Sequence, residues 1–261
     1  MKLTVIIPVY NEASTFRTLL ERVLAVPIDK EVLVVDDASD EETVQQLKAA
    51  IASTAEGQVQ LFTHPHNQGK GAGIRTALRH ATGDVVIIQD ADLEYFPEDY
   101  ARLLETYRRH GARAVYGVRD LSDRSFLMRF GNNFLTWLTN LLFGANLHDM
   151  ETCYKMIDRD LMQSLNLQSH RFEIEAEMSA KLLRRGVKIY EAPIGYQPRA
   201  EDEGKKLSPL DGLPALATLL KYRLNLPEET EIEKIEQALL GTGALGVILL
   251  AFLLKRAAQD R

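Results

Sequence analysis

Apolar positions along this chain follow two alternating rhythms, short unbroken runs and sparser sets repeating every three or four residues. Leu3 to Val9 is a continuous run, the mark of a strand buried on both faces of a parallel sheet. After it Phe16, Leu19, Leu20, Val23 and Leu24 recur at helical spacing, with Asn11 placed to cap the helix. Glu31 to Val35 reads as a second strand ending in Asp36-Asp37. A helix near Glu41 to Ala52, a strand near Val59 to Phe62, a helix from about Gly71 to Ala81 and a strand over Asp84 to Gln89 follow. Strands alternating with helices predict an α/β fold around a doubly wound, mostly parallel sheet.

The second half adds a strand over Ala114 to Val118 and a helix from Arg124 to Gly144. On that helix Arg129, Asn132, Asn133, Thr136 and Asn140 form a polar stripe among Phe, Leu and Trp137. Either its apolar face packs into the core, or it lies in a membrane interface with the stripe turned toward a lipid phosphate. Leu210 to Leu224 predicts an amphipathic helix, lying on a membrane or packed on the domain. After the acidic stretch Glu228 to Glu236, the 17 residues Ala238 to Leu254 carry no charge and are followed by Lys255-Arg256. As a helix that run reaches about 26 Å, a little short of a hydrocarbon core of about 30 Å. A spanning orientation with a cytoplasmic domain would also place those basic residues outside, against the positive-inside tendency. The segment therefore spans, lies in the interface, or packs between copies of the chain, which leaves a homo-oligomer open. The expected division is a catalytic domain over 1–208, an interfacial helix over 209–226, and an acidic linker with a hydrophobic C-terminal helix over 227–261.

The 261 residues are 46% hydrophobic, enough for one large core, and the formal net charge of −6 gives no footprint for nucleic acid. Cys153 alone excludes an internal disulfide. Met1 to Val9 passes straight into a strand, without the long apolar core and cleavage site of a signal peptide, so the catalytic part is expected in the cytoplasm.

Ligands of doubly wound sheets sit beyond the carboxyl ends of the strands, where Asn11-Glu12, Asp36-Asp37 and Asp90-Ala91-Asp92 all fall. Asp90 and Asp92 share one side of an extended chain, so both can converge on one hard cation, as a bound diphosphate requires. Asn67 to Gly73 precedes a helix, so its backbone N–H groups and Lys70 can meet an anion, although a glycine-permitted turn explains it equally. Neither a Walker loop nor a dinucleotide fingerprint fits.

Together the blocks VIIPVYNE, VVDDASD, HNQGKGAGIRTAL and QDADLE resemble family 2 glycosyltransferases of the GT-A fold, over roughly residues 1 to 210. Within that family the likeness is to dolichyl- and polyprenyl-phosphate sugar synthases of cell-envelope glycan assembly. The resemblance implies that Pro8, Tyr10 and Glu12 line the nucleotide, Glu12 near the ribose, and that Asp37 reads the base edge. It implies Mg²⁺ or Mn²⁺ bridging the diphosphate on Asp90 and Asp92, with Glu94 as a third ligand and Ala91 against the nucleotide. Arg119 and Arg129, with Asn132, are the candidates for an acceptor phosphate, by charge-assisted contact. Arg199 and Lys205 resemble the basic residues of a loop that closes over donor and acceptor. Asp92, Arg119, Arg129 and Lys205 are thus the expected catalytic set.

One departure counts against mannose as the donor sugar: Cys153-Tyr154 stand where the mannose synthases carry Gly-Phe. The expected reaction is inverting transfer of a sugar from GDP-mannose or a UDP-hexose to a polyprenyl phosphate, on the cytoplasmic face of a membrane. A phosphate monoester is largely dianionic at neutral pH and needs no general base. A sugar hydroxyl of a glycolipid or polysaccharide would need one, for which Asp149 and Glu151 are available. A nucleotidyltransferase is disfavoured because Pro8 to Ser14 lacks a glycine-rich triphosphate loop. A catalytically silent nucleotide-binding partner remains the alternative from another class.

Overall fold

The computed structural model describes residues 1–199 and 212–226. Lys205 and the Ala238 to Leu254 run, with the readings placed on them, lie outside the described residues. The strands are β1 (Leu3–Val9), β2 (Lys30–Asp36), β3 (Val59–Thr63), β4 (Val85–Ile88), β5 (Ala114–Arg119), β6 (Lys155–Asp158) and β7 (Ile189–Ile194). They form one seven-stranded sheet in the order β3-β2-β1-β4-β6-β5-β7. All neighbours run parallel except β6, which is antiparallel to both β4 and β5. Strands β1, β2 and β4 are buried almost throughout, as their unbroken apolar runs require of strands covered on both faces.

Helices α1 (Ala13–Ala25), α2 (Glu41–Ala52), α3 (Lys70–Leu78), α4 (Tyr100–His110) and α5 (Phe126–Phe143) match the periodic segments. Asn11 does not cap α1, which has no side-chain cap. It adopts a left-handed φ of 55° and its Oδ1 accepts from the Asp40 N–H at 2.9 Å, tying the loop after β1 to the loop after β2. Asp40 in turn caps α2 through the Thr43 N–H.

The sequence reading left the stretch after α5 without elements. It holds β6, α6 (Arg159–Ser164), α7 (Ile174–Arg184) and β7. Helix α7 is buried from Ile174 to Leu182. Helix α8 (Gly212–Arg223) packs on α7 and α5 with Ala215 to Tyr222 buried, so of the two readings open for this segment it takes packing on the domain. No helix among the described residues is long and apolar enough to cross a membrane.

Candidate active site

The loops after β1, β2 and β4 meet at the carboxyl edge of the sheet, and each acidic cluster there has a definite job. Asp37 is almost fully buried. Its Oδ1 accepts from the Gln68 N–H at 2.9 Å and faces His64 Nδ1 at 2.6 Å, while its Oδ2 accepts from the Gly69 N–H at 2.7 Å. The carboxylate thus shapes the turn into α3, work that the sequence did not suggest. Gly69 sits at a φ of +92°, and a Cβ there or at Gly71 would collide with the carbonyls of His170 and Ser169. Ala72 N–H donates to the His170 carbonyl at 3.1 Å. The glycines therefore serve close packing on the loop before α7, and part of the expected anion site is filled by protein.

Lys70 turns inward. Its ammonium lies 2.8 Å from Asp90 Oδ1 and 3.0 Å from Glu175 Oε1. Glu175 Oε2 is 2.6 Å from Lys155 Nζ on β6. The result is a buried chain of alternating charge from Asp90 to Lys155. Burial works to lower the Lys70 pKa, but the surrounding charges, Asp90 foremost, hold it well above the usual lysine value.

Glu94 is not placed as a third metal ligand. Its Oε2 accepts from Arg124 at 3.0 Å and from the Tyr196 hydroxyl at 2.8 Å, and its Oε1 from the Arg199 N–H at 3.2 Å. Three donors thus occupy its two oxygens. Among the described residues no group of three His, Cys, Asp or Glu side chains gathers to hold a metal. Glu12, at the end of β1, is gripped by Arg199 at 2.6 and 3.2 Å, and Arg199 Nε donates to the Asp92 carbonyl at 2.9 Å. Arg199, expected beside the acceptor, thus bridges the nucleotide-side loop and the turn after β4. Pro8 is half-buried and Tyr10 exposed at the same edge.

On the other side of β4, Arg119 leaves the end of β5 and forms a two-pronged pair with Asp149, at 2.7 and 2.9 Å. Its Nη1 donates to Tyr95 Oη at 3.1 Å, and Nη2, already on Asp149, also donates to Asn132 Oδ1 on α5 at 2.9 Å. Asp149 is 1% exposed with both oxygens bonded to Arg119, so neither is free to take a proton in this arrangement. Glu151 differs. Its Oε1 is shut off from solvent without a hydrogen-bond partner, and burial pushes its carboxyl up to about 7. Glu175 and Asp149 add to that rise, and Lys155 and Arg119 oppose it.

Between these groups lies a cavity of about 430 Å³. Lys70, Asp90, Glu94, Arg119, Arg124, Glu151 and Glu175 form its polar wall, and Leu127, Met128, Phe130, Phe134 and Leu135 of α5 its apolar one. Arg129 is exposed and does not line it. At 100° per residue it points about 200° away from Leu127 and Gly131, which do. Arg124, at the entry to α5, stands in the cavity instead. Tyr196 separates the two arginines, with Arg119 and Arg124 at 5.2 and 5.1 Å from its ring centre. Arg124, Tyr95, Tyr196 and Glu175 carry no sequence signal for this site, although Arg124 opens the segment that reads as a helix.

The expected stripe on α5 divides. Asn132, Thr136 and Asn140 turn inward to Arg119, the Met150 N–H and Leu147. The opposite face is greasy and open: Phe126 is 76%, Leu127 55%, Phe130 59% and Trp137 48% exposed.

The family model described as glycosyl transferase family 2 matches residues 4–165, which carry every acidic cluster just described. This chain belongs to glycosyl transferase family 2. Among curated relatives of the family 2 chain is an undecaprenyl-phosphate mannosyltransferase of Micrococcus luteus, 29% identical over 78% of this chain and 87% of that protein. An undecaprenyl-phosphate 4-deoxy-4-formamido-L-arabinose transferase of Pectobacterium atrosepticum is 31% identical over 62% of this chain. The chain spans 50% of the length of that relative. Among solved structures, glucosyl-3-phosphoglycerate synthase of Mycobacterium tuberculosis in complex with UDP aligns with a TM-score of 0.67 at 20% identity, over 87% of this chain and 82% of that one. That enzyme has also been crystallised with Mn²⁺, UDP and its product. The fold of this family 2 glycosyltransferase is thus the GT-A α/β arrangement.

Proposed function

We propose that this glycosyltransferase moves a hexosyl group, with inversion, from a nucleotide donor to a polyprenyl phosphate at the cytoplasmic face of a membrane. The observation that carries the reading is the cavity itself. One wall is the charged end of β4 and β5, and the other is α5, where Leu127 and Phe130 line the cavity and, with Phe126 and Trp137, are open to solvent. Such a face suits the interfacial region of a bilayer, and a lipid phosphate lying there could reach Arg124 and Arg119 while its chain follows the phenylalanines. The names of the relatives point the same way.

The nucleotide would lie over β1 and β2, against Tyr10, Glu12 and the Asp37 turn, with its diphosphate at the end of β4. Asp92 and Asp90 supply hard oxygen ligands of the kind Mg²⁺ and Mn²⁺ take when substrate phosphates complete the shell. A cation held there would neutralise the charge gathering on the departing diphosphate. In the transfer itself, the bond from the anomeric carbon to the diphosphate oxygen breaks and its electron pair leaves with the nucleotide. A new bond forms from an acceptor phosphate oxygen on the opposite face, and no proton has to move.

Purified chain assayed with a panel of GDP- and UDP-sugars and a short polyprenyl phosphate tests the reading, with product followed by thin-layer chromatography. Arg124→Ala is expected to raise the acceptor KM about tenfold, the loss of one charge-assisted contact, with donor affinity retained. Arg129→Ala, outside the cavity, should change it little. Lipid product absent with every donor would overturn the proposal.

A second reading has one observation in its favour. Glu151, with a carboxyl near neutrality in the cavity wall, could take a proton from a sugar hydroxyl, whereas both Asp149 oxygens are bonded to Arg119. Turnover with hydroxyl acceptors that disappears in Glu151→Gln would favour it.

A further inference from the structure

Every cation lining the cavity already has an anionic partner. Lys70 faces Asp90 and Glu175, Arg119 holds Asp149, and Arg124 holds Glu94. Apart from the ion-paired Glu175, two lining side chains keep a buried polar atom with no partner: Glu151 Oε1, an acceptor, and Asn132 Nδ2, a donor. Buried polar atoms in native proteins are nearly always bonded, so two orphans lining one cavity need an explanation.

Both hang from the same clamp. Arg119 Nη2 donates to Asn132 Oδ1 at 2.9 Å, which fixes the oxygen end of that amide and leaves its NH₂ over. Arg119 also grips Asp149, two residues before Glu151, and the intervening Met150 and the following Thr152 are both fully buried.

Sheet order says what would lie there. Asp37 and Glu12 follow β2 and β1, on one side of Asp90, whereas Arg119 and Glu151 belong to the β6 and β5 side. A donor with its diphosphate at Asp90 and its base over β1 and β2 extends its sugar into this cavity. A phosphate, whose oxygens accept, answers Asn132 always and Glu151 only when that carboxyl is protonated. A hydroxyl both donates and accepts, and so answers both.

We propose, resting on the transfer reading above, that Glu151 and Asn132 read a ring hydroxyl of the transferred sugar, Glu151 accepting from it and Asn132 donating to it. This pair sets donor-sugar specificity.

The experiment measures nucleoside diphosphate release from UDP-glucose, GDP-mannose and the monodeoxy analogues of whichever donor turns over. Wild type is expected to lose about 10- to 100-fold in kcat/KM on removal of one particular hydroxyl, the range for a hydrogen bond left half-made in a buried site. Glu151→Ala should show a loss of that size with the parent donor and no further loss with that one analogue. At the other positions it should behave as wild type does. Glu151→Gln keeps an acceptor oxygen and should recover most of the activity, and unchanged UDP affinity in both variants shows an intact nucleotide side. Losses that add at every position would overturn the assignment while leaving transfer intact. So would a kcat loss common to all donors and equal in Gln and Ala, the signature of a base. A wild type that binds UDP yet turns over no donor would sink the transfer reading and this assignment with it.

Discussion

Two carboxylates at opposite edges of the sheet, Glu31 buried and Glu151 half-buried, are handled in opposite ways. Glu31 opens β2 at the amino edge, where its oxygens collect the Thr4 and Thr82 hydroxyls, the Thr82 and Gly83 N–H groups and the Lys2 ammonium. Burial alone would raise its pKa, but those donors outweigh it and hold the carboxyl at about 2. Glu151 stands at the carboxyl edge with an oxygen left over, and burial prevails there, up to about 7. The amino edge is closed at Glu31, whose oxygens are both bonded, and the carboxyl edge is open at Glu151, which keeps one oxygen without a partner. Loops at the open edge are held for a ligand, loops at the closed edge for the fold alone.

The largest expected effect probes the open edge. Asp92→Asn keeps an oxygen to accept from the Glu94 N–H, a 3.2 Å contact in the wild type, so stability should change by less than about 1 kcal/mol. Transfer supported by Mn²⁺ should fall on the order of 10²–10³-fold, as when charge stabilisation is lost from a transition state. Isothermal titration with Mn²⁺ and UDP, beside urea denaturation, separates the two readouts. A large stability loss with unchanged transfer would erase the distinction between the edges.

The mirror experiment is Glu31→Gln. A neutral amide turns an NH₂ toward donors that need an acceptor and leaves Lys2 without its ion pair, though still bonded to the Thr82 hydroxyl, at a cost of roughly 2–4 kcal/mol in urea unfolding. Nucleotide affinity should stay as it was. Because both edges belong to one sheet, such a loss without a change in binding is the sharpest evidence that the amino edge is structural.

Much of this division was legible in the chain. The unbroken runs before Asn11, Asp36 and Asp90 located strands and their carboxyl ends, because a strand covered on both faces has no polar alternation to confuse the pattern. The region holding Glu175 and Lys155 was not. Helix α7 buries Glu175, Glu177, Ser179 and Lys181 along with its apolar residues, so it has no polar face from which a period could be read. Strand β6 is four residues bounded by Lys155 and Asp158, too short and too charged at its ends to announce itself. That Arg124 lines the cavity and Arg129 does not was hidden for a different reason. A stripe at i, i+3 and i+4 fixes which residues share a face, not which way that face turns, and only the contacts of Asn132 and Thr136 settle it.

The pH dependence of stability should carry both signs. Glu31 has a depressed pKa, so its contribution is present above about 4.5 and fades as pH falls toward about 2. Glu151 has a raised one, so its contribution is complete below about 4.5 and is lost as pH rises through about 7. The second loss amounts to at most about 3 kcal/mol, reduced by whatever solvent reaches a half-buried side chain. Chemical denaturation across that range should show wild type weakening from mildly acidic to mildly basic pH, and Glu151→Gln weakening less. The Lys155, Glu175, Arg119 and Asp149 charges remain in both proteins, so the difference isolates one carboxyl. Identical slopes would mean that Glu151 is solvated like a surface acid, and the contrast between the edges would shrink to hydrogen bonds alone.

The smallest effect concerns the face that the open edge turns outward. Phe130 is 59% exposed, stacks at 6.4 Å on Phe134 and at 6.3 Å on Phe126, and contributes to the cavity wall. Phe130→Ser should leave urea stability within about 0.5 kcal/mol, as exposed positions usually do. On vesicles containing anionic lipid it should weaken binding roughly fivefold, about 1 kcal/mol, since an interfacial ring buries only part of its surface. Sedimentation of chain with such vesicles reads the partition directly. If the variant binds as wild type does but unfolds more readily, α5 belongs to the structural side of the molecule. The lipid phosphate would then need another route to Arg124.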